Sequence, residues 1–419
     1  MSSPERRSVL GRPHRSEAPP TRRKPEPRPN TPKADAPAKP RGKPELFSID
    51  LEQRPFTIAW ELTRACALAC VHCRAEAQPQ RDPRELTTTE ALRLVDQIVD
   101  LAPPVLVLTG GDPMMRPDLF EIVEYAISRG QRVAVSPTTT ALPTRERLKR
   151  LHDLGVAMIH VSLDGADAAT HDAFRGVPGT FERATGILDT LRDIKMPVQV
   201  GTTITRHNID QLEQMAELMA SHGINVWNVF YLVPTGRGRQ DAMIDVATAE
   251  ASWDWLSALS ERAPFAVRTT AAPQFRRTMS RRAKERAGGP VRLTGAGYQL
   301  REAPSGVQTR GINDGKGFMF VDHIGNLCPS GFLQIPAGNV RTDDIGDVYR
   351  HSGLFRSLRD PSLLEGRCGR CEFADLCGGS RARAMGVSGN YLAEDPLCGL
   401  GQEFGAAQEA PPLMATPPA

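Results

Sequence analysis

The sequence predicts an α/β fold, a partial (β/α)6 TIM-like barrel followed by a small cysteine-rich domain. From Arg54 onwards, strand-like apolar runs alternate with amphipathic helical stretches, and five of the eight cysteines lie in the last quarter of the chain. Repeated β/α units require a parallel sheet with helices outside it. Six units fall short of the eight that close a TIM barrel, so the barrel is expected to be partial.

The six predicted strands are residues 56–62, 105–108, 132–135, 158–163, 198–204 and 226–232. The helices predicted between them are residues 87–101, 117–129, 143–154, 180–193 and 208–222. One of Thr87, Thr88 and Thr89 is expected to cap the first helix, and Pro117 opens the second. Further along, residues 251–262 look helical. Residues 276–289 are basic and end in paired glycines, which indicates a mobile loop.

Composition limits the class of protein. A chain of 419 residues is long enough for two domains and tails. No apolar run approaches the length of a membrane span, so no membrane association is expected. The basic N-terminus has no apolar core segment and does not resemble a secretory signal. A cytoplasmic protein is therefore expected, in which eight cysteines indicate metal ligands rather than disulfides.

The N-terminal segment has its own composition. Residues 1–44 contain twelve Lys/Arg and four Asp/Glu, a net charge of +8, which leaves −5 on the remainder of this +3 chain. Few apolar residues occur before Leu46, so the segment cannot offset its ordering entropy and is expected to be disordered. It either touches an acidic partner or is a solvated tail. The mildly acidic remainder does not indicate nucleic-acid binding.

These observations divide the chain into five parts. The expected order is a disordered basic tail at 1–50, the barrel at 51–235, a linker with helices and a mobile loop at 236–310, the cysteine-rich domain at 311–402 and a disordered tail at 403–419.

Three cysteines follow the first predicted strand. Cys66, Cys70 and Cys73 are spaced C-x3-C-x2-C on a loop at the strand's C-terminal end, where barrel enzymes place their chemistry. A tetrahedral zinc site needs four protein ligands, and this segment offers three. Three thiolates on a four-iron cluster would leave one iron open to a small molecule. An incomplete zinc site is the alternative.

This motif resembles that of the radical S-adenosylmethionine (SAM) superfamily. The resemblance implies that Cys66, Cys70 and Cys73 are catalytic, holding a [4Fe–4S] cluster whose open iron binds the amino and carboxylate groups of SAM. His72 stands where the family often has an aromatic residue or His. Reduction of the cluster would cleave SAM to methionine and a 5′-deoxyadenosyl radical.

A glycine pair follows the second predicted strand. In the radical SAM family a Gly-Gly-Glu-Pro stretch holds the SAM amino group through backbone oxygens, and Gly110, Gly111, Asp112 and Pro113 match it here. Asp112 replaces the usual Glu, which shortens a side-chain contact and leaves the backbone role untouched. A plain strand-to-helix turn is the alternative.

Polar strand ends provide the other candidates for SAM binding. Ser162 and Asp164 alternate onto one face, which the family directs towards the ribose and carboxylate of SAM. Arg175 resembles a family Arg that meets the SAM carboxylate, although a surface Arg capping a helix would look the same. Ser136, with Thr138 and Thr202, is a weaker candidate, since polar strand ends often only satisfy loop hydrogen bonds. Residues 231–238 either flank adenine, as in the family, or form a simple turn.

Four C-terminal cysteines form a second set. Cys368, Cys371, Cys377 and Cys398 are spaced C-x2-C-x5-C-x20-C. Four thiolates can fill a cluster's coordination or bind a structural zinc. The spacing resembles the SPASM-type auxiliary domain of radical SAM enzymes, which implies one auxiliary [4Fe–4S] cluster. Cys328 is left over; it lines the substrate cavity, replaces a cluster ligand or is an inert buried thiol, of which the last is favoured.

Short sequence segments around these cysteines indicate a particular branch of the superfamily. Residues 328–333, 338–340, 377–383 and 391–396 resemble the radical SAM branch that includes enzymes of heme d1 and alternative heme biosynthesis. The expected activity is hydrogen abstraction from a small-molecule or peptide substrate, with a tetrapyrrole slightly favoured. The expected reductant is a partner such as flavodoxin or ferredoxin. A peptide maturase and a non-catalytic Fe–S or zinc redox sensor are the alternatives.

Overall fold

A ten-stranded sheet organises the chain in a computed structural model, which describes residues 49–285, 293–295, 298–303 and 306–402. Its strands are β1 (Thr57–Glu61), β2 (Val105–Thr109), β3 (Val133–Val135), β4 (Met158–Ser162), β5 (Val198–Ile204), β6 (Val226–Tyr231), β7 (Ala266–Thr270), β11 (Phe318–Val321), β12 (Asn326–Cys328) and β13 (Gly338–Asn339). A separate antiparallel sheet contains β8 (Leu293–Gly295), β9 (Tyr298–Ala303) and β10 (Gly306–Gly311).

Twelve α-helices occur in the described residues. They are α1 (Thr88–Leu101), α2 (Leu119–Ser128), α3 (Arg145–Asp153), α4 (Ala168–Arg175), α5 (Thr180–Asp193), α6 (Leu212–Ser221), α7 (Val246–Leu259), α8 (Gln274–Glu285), α9 (Ile345–His351), α10 (Gly353–Arg359), α11 (Gly366–Gly369) and α12 (Arg381–Ser388). Thr87 caps α1 in a capping box, since its hydroxyl accepts from the Glu90 N–H while the Glu90 carboxylate accepts from the Thr87 N–H.

The order in the large sheet is β13-β12-β11-β1-β2-β3-β4-β5-β6-β7. All neighbours from β11 to β7 are parallel, so the α/β barrel prediction is confirmed. The barrel is open, with β7 and β13 as the edge strands of this sheet. Besides the six expected strands, β7 and β11 extend the parallel array, and β11 pairs directly with β1.

The two faces of the sheet differ in burial. On the outer face, Ile58, Trp60, Leu106 and Leu108 are fully buried and share one core with the surrounding helices. On β2, Val105, Val107 and Thr109 alternate with these residues and remain partly exposed. The same alternation occurs on β4. The inner face of the open barrel is therefore partly accessible along β2 and β4, in contrast to the filled interior of a closed TIM barrel.

Two local predictions need correction. A mobile loop at 276–289 is wrong over residues 276–285, which lie in α8; Phe275 and Met279 of this helix are buried in the main core. Residues 286–289 lie outside the described residues. The short helix α4 is absent from the predicted elements, and Asp167 caps it by accepting from the Thr170 N–H.

The predicted tails fall largely outside the described residues, which begin at Ile49 and end at Gln402. The proposed domain boundaries remain a prediction. Among the described helices, none combines the length and apolarity that crossing a bilayer requires.

Candidate functional site

The first three cysteines converge on one loop after β1. Cys66 and Cys70 are buried with Leu68, and Cys73 packs against the same small cluster. All three are free thiols. The sequence placed them on a loop at the C-terminal end of a strand, and the structure agrees, since β1 ends at Glu61 and pairs with β2 up to Thr109.

Each of the three sulfurs has a hydrogen-bond donor. The Leu68 N–H donates to Cys66 Sγ at 3.4 Å, and the Ala77 N–H donates to Cys73 Sγ at 3.4 Å. The Arg175 guanidinium lies 3.6 Å from Cys70 Sγ. Burial raises the pKa of the Cys66 thiol to about 11. Such a thiol ionises at neutral pH when a metal coordinates it, so this donor set fits cluster thiolates.

Gly110 and Gly111 allow the cysteine loop to approach the end of β2. A Cβ on Gly110 would lie 2.6 Å from the Thr63 oxygen, and one on Gly111 would lie 2.4 Å from the Ala65 oxygen. The Gly111 N–H donates to Thr63 O, and the Asp112 N–H donates to Ala65 O, both at 2.7 Å. In this structure, the glycine pair therefore holds the backbone that carries Cys66.

Two further glycines hold the loop from the opposite side. A Cβ on Gly176, at φ 68°, would lie 2.7 Å from Ala69 O. A Cβ on Gly236, at φ 56°, would lie 2.5 Å from Cys73 O. Next to it, Arg237 donates from its backbone to Cys73 O at 3.0 Å and from Nε to Cys70 O at 2.9 Å. Segment 231–238, proposed from sequence to flank adenine, thus contacts the cysteine loop directly.

Arg175 and Asp164 form a buried ion pair beside Cys70. The Asp164 carboxylate contacts the Arg175 guanidinium and accepts from the Thr203 N–H at 2.7 Å. Burial alone would lower the pKa of Arg175, but Asp164 and the Cys70 sulfur raise it above its ordinary value. Arg175 Nε is buried without a hydrogen-bond partner among the described residues. A permanent positive charge thus lies next to the cysteines with one donor unused.

The remaining residues that the sequence predicted to contact SAM differ in how far their side chains are buried. Asp112 is fully buried and turned inwards, accepting from the Met114 N–H at 3.0 Å and from the Thr140 hydroxyl at 2.7 Å, with Pro113 buried beside it. Ser162 is partly exposed at the end of β4, and Ser136 directly follows β3. Thr202 points away from the inner face, because its hydroxyl donates to Leu163 O and accepts from Trp227 Nε1.

Glu61 is a site residue that the sequence reasoning missed. It ends β1 and is fully buried, and its carboxylate lies 3.1 Å from Arg64 Nε, 2.9 Å from Arg74 Nη1 and 3.1 Å from His323 Nδ1. Burial opposes its ionisation, but His323, Arg74 and Arg64 together lower the pKa of Glu61 to about 2. The sequence did contain a signal for this residue, because Glu61 is an acidic residue at the end of an otherwise apolar strand.

The four C-terminal cysteines line a single cavity of ≈ 410 Å³ together with Arg277, Arg367 and Arg370. These cysteines are Cys368, Cys371, Cys377 and Cys398. The cavity brings together residues from 368 to 398, as the spacing predicted.

Donors also surround these sulfurs. The Phe373 N–H donates to Cys371 Sγ and the Gly379 N–H to Cys377 Sγ, both at 3.4 Å. The Arg277 guanidinium lies 3.5 Å from Cys398 Sγ, and that of Arg381 lies 3.6 Å from Cys368 Sγ. Hydrogen bonds to sulfur and nearby positive charge are features that tune iron–sulfur clusters, so the donor set fits such a group.

A buried ion pair supports this second cysteine set. Arg383 and Asp395 have fully buried side chains and form two hydrogen bonds, at 2.9 and 2.7 Å. Asp395 also accepts from Gln274 Nε2 and from the Ser380 N–H, each at 2.7 Å. The pair therefore links α12 and α8 to the segment that leads to Cys398.

Cys328 lies apart from both sets. It is 1% exposed on β12 and packs against Ala59 and Phe320 on the inner face of the sheet. Burial raises its pKa to about 12. These features support the reading of an inert buried thiol. In the described ranges, no three His, Cys, Asp or Glu side chains are grouped to hold a single metal ion. A four-iron cluster does not require such a group, since each thiolate binds a different iron.

Comparison with known proteins gives a consistent result. A family model described as the radical SAM superfamily matches residues 60–242. The chain is 41% identical to the AdoMet-dependent heme synthase of Nitratidesulfovibrio vulgaris, over 81% of this chain and 91% of that protein. It is 32% identical to the mycofactocin maturase MftC of Mycolicibacterium smegmatis, over 84% of this chain and 85% of that protein.

Solved structures match the fold. The crystal structure of Streptococcus suis SuiB bound to S-adenosylmethionine superposes with a TM-score of 0.63 at 14% sequence identity. The match covers 83% of this chain and 77% of SuiB. At this identity the likeness concerns the arrangement of the strands and helices, and it supports the open α/β barrel.

Proposed function

The chain belongs to the radical SAM superfamily of enzymes, and on that premise we propose that it acts on a tetrapyrrole in heme-type biosynthesis. The reaction proposed is hydrogen abstraction that leads to loss of carboxylate-bearing side-chain groups. The observation that carries the proposal is the convergence of three free thiols beside the accessible inner face of an open barrel. The 41% identity to a heme synthase supports the choice of substrate.

In this proposal Cys66, Cys70 and Cys73 hold a [4Fe–4S] cluster that keeps one iron free for SAM. Cluster and SAM together supply the radical that removes a hydrogen atom from the substrate. The chain's own residues position these groups. Gly110 and Gly111 hold the backbone before Cys66, and Arg237 holds the carbonyls of Cys70 and Cys73.

The proposed contacts of SAM lie on both sides of this loop. Arg175 keeps a positive charge and an unused donor next to Cys70, which suits a carboxylate. Asp164 orients that guanidinium. The remaining proposed contacts are Gly110, Gly111, Asp112, Pro113, Ser136 and Ser162. For Asp112 the backbone is the proposed contact, since its side chain is engaged elsewhere.

The C-terminal cysteines are proposed to hold an auxiliary [4Fe–4S] cluster that accepts or relays an electron after hydrogen abstraction. Four thiolates complete its coordination, so electron transfer suits it better than substrate binding. The proposed external reductant is a small electron carrier such as flavodoxin or ferredoxin, in a cytoplasmic setting.

A peptide maturase is the second candidate. The 32% identity to MftC over most of both chains favours it. The higher identity to the heme synthase leads us to prefer the tetrapyrrole. A non-catalytic iron–sulfur or zinc sensor, the third reading of the sequence, is set aside by membership in an enzyme superfamily.

The test is anaerobic reconstitution followed by incubation with SAM, dithionite and an iron porphyrin that carries four propionate side chains. About eight irons per chain are expected, with 5′-deoxyadenosine formed and carboxyl groups lost from the porphyrin by mass spectrometry. A preparation that holds only zinc, or that forms no deoxyadenosine, would contradict the enzymatic mechanism. Deoxyadenosine formed without any change in the porphyrin would contradict the substrate alone, and candidate peptides would then be tested.

A further inference from the structure

We propose that Arg64 and Arg74 form a binding site for carboxylate groups of the substrate at the inner face of the barrel. This inference rests on the proposed function, because it identifies what holds the acidic side chains of that substrate. Both arginines flank the cysteine motif: Arg64 precedes Cys66 by two residues, and Arg74 directly follows Cys73. A carboxylate bound by the pair is therefore held beside the cysteine loop.

Both guanidinium groups are held in place by Glu61. Arg64 Nε lies 3.1 Å from one carboxylate oxygen, and Arg74 Nη1 lies 2.9 Å from the other. Arg64 is held a second time, since its Nη2 donates to Gln334 Oε1 at 3.0 Å. The Arg74 guanidinium lies 4.7 Å from the centre of the Phe320 ring. A ligand would bind groups that are already ordered, which lowers the entropic cost of binding.

The charges around Glu61 do not balance. Glu61 contributes one negative charge, whereas Arg64 and Arg74 contribute two positive charges, and His323 is a third partner of the same carboxylate. His323 also lies 3.4 Å from Asp82, but Asp82 has its own counter-ion in Arg84. Asp322 is also nearby, but its carboxylate accepts from the Ile324 and Asn326 N–H groups of its own turn. One carboxylate would be neutralised by one guanidinium, so the second arginine leaves positive charge available for a ligand.

This charge is accessible, whereas its counter-ion is not. The side chains of Arg64 and Arg74 are 26% and 18% exposed, while that of Glu61 is fully buried. Guanidinium groups bind carboxylates through two parallel hydrogen bonds, a geometry that lysine cannot provide. A pair of arginines therefore selects a ligand with acidic side chains.

An aromatic ring and a glycine pack against Arg74. The Phe320 ring lies under the Arg74 guanidinium. Gly331 leaves room for Arg74, because a Cβ there would lie 3.0 Å from the guanidinium carbon. An aromatic ring and two arginines at this edge of the inner face suit a flat ring that carries carboxylates.

The experiment measures binding of the four-propionate iron porphyrin to the reconstituted enzyme by absorbance titration. The same porphyrin with its carboxylates converted to neutral amides serves as the second probe. Arg64→Gln and Arg74→Gln are each expected to weaken binding of the acid by about 10- to 100-fold, and to leave binding of the amide unchanged. Arg145→Gln is the matched control, since Arg145 forms an exposed ion pair with Asp193 on the outer helices.

Iron content and substrate-free SAM cleavage are measured on the same samples, to show that the cysteine loop is intact. Arg64→Lys keeps the charge without the paired hydrogen bonds and is expected to retain part of the binding. If variants with intact iron bind the acid as tightly as the unaltered enzyme, the inference is wrong and the proposed function stands. If the unaltered enzyme binds neither porphyrin, the proposed substrate is wrong and the inference falls with it.

Discussion

The two cysteine regions are held in place by different means. The loop with Cys66, Cys70 and Cys73 has almost no structure of its own, and its backbone is fixed by Gly110, Gly111, Gly176, Gly236 and Arg237, which belong to distant parts of the barrel. Of the C-terminal set, Cys368 lies on the short helix α11 and the other three lie outside the helices, and the buried ion pair of Arg383 with Asp395 ties α12 to the segment that leads to Cys398. In the proposed function, the three thiols on the loop would leave one coordination position free for a ligand, whereas the four thiols around one cavity would complete the coordination of a cluster.

Substitution of single cysteines should give the largest difference in activity between the two regions. Cys70→Ala is expected to abolish 5′-deoxyadenosine formation, because the cluster that reduces SAM loses a ligand. Cys371→Ala is expected to keep substrate-free SAM cleavage and to lose product formation. Each variant should hold about four irons fewer than the unaltered enzyme. Cys328→Ala is the control and should retain the full iron content; if Cys371→Ala also stopped SAM cleavage, the division of roles would be refuted.

Among the substitutions that affect stability, removal of one partner of the C-terminal ion pair should have the largest effect. Arg383→Met leaves Asp395 charged and buried, and the free energy of unfolding is expected to fall by about 3–5 kcal/mol. The double variant Arg383→Met with Asp395→Asn should recover part of this loss, because the amide is uncharged and its oxygen can still accept from Gln274 Nε2 or the Ser380 N–H. Urea unfolding measures both. Arg145→Gln, which breaks an exposed pair, should cost at most about 1 kcal/mol.

In the first region, Glu61 should make the stability of the fold depend on pH. The folded-state pKa of Glu61 is about 2, below the ordinary value of 4.5. Its ionisation therefore stabilises the fold above pH 4.5, and this contribution is lost as the pH falls towards 2. Glu61→Gln should lower stability at neutral pH by on the order of 3 kcal/mol and should flatten the acid dependence. Equal pH profiles for both proteins in urea unfolding would contradict this assignment.

The glycine contacts of the first region should give the smallest effect on stability and a local effect on iron. Gly111→Ala places a Cβ 2.4 Å from Ala65 O and is expected to cost about 1–3 kcal/mol and to lower the iron content at the first site. Gly186→Ala on α5 is the matched control. It has no atom within 4 Å of the added Cβ and should stabilise the protein by about 0.5–1 kcal/mol.

Local patterns predicted most of the barrel. Helix α5 has the predicted bounds of 180–193, and β1 lies within the predicted 56–62. These elements have strong apolar periodicity of their own. The eight-residue helix α4 offers too few turns for such a pattern, and its role becomes visible only where Arg175 reaches Cys70. The pairing of β11 with β1 is a contact between distant segments that no periodicity records.

The basic stretch at 276–285 shows why composition misled the prediction. Its basic composition and the paired glycines that follow suggested a mobile loop, but Arg277 is buried, paired with Glu250 and directed at Cys398. Without the tertiary contacts, a charged side chain that is directed at buried thiols cannot be distinguished from one that faces water. Glu61 was missed for the same reason, since its three side-chain partners come from positions 64, 74 and 323.

The pairing of β11 with β1 has a consequence for folding during synthesis of the chain. Thr57 pairs with Phe318, so the strand that leads into the first cysteine loop gains this neighbour only after roughly 260 further residues have been made. At about 5–20 residues per second, the nascent chain waits roughly 13 to 50 s for that neighbour. His323, which braces Glu61, arrives with the same segment. The surroundings of the first cysteine loop are therefore completed only late in synthesis, when residues 318–323 have been made.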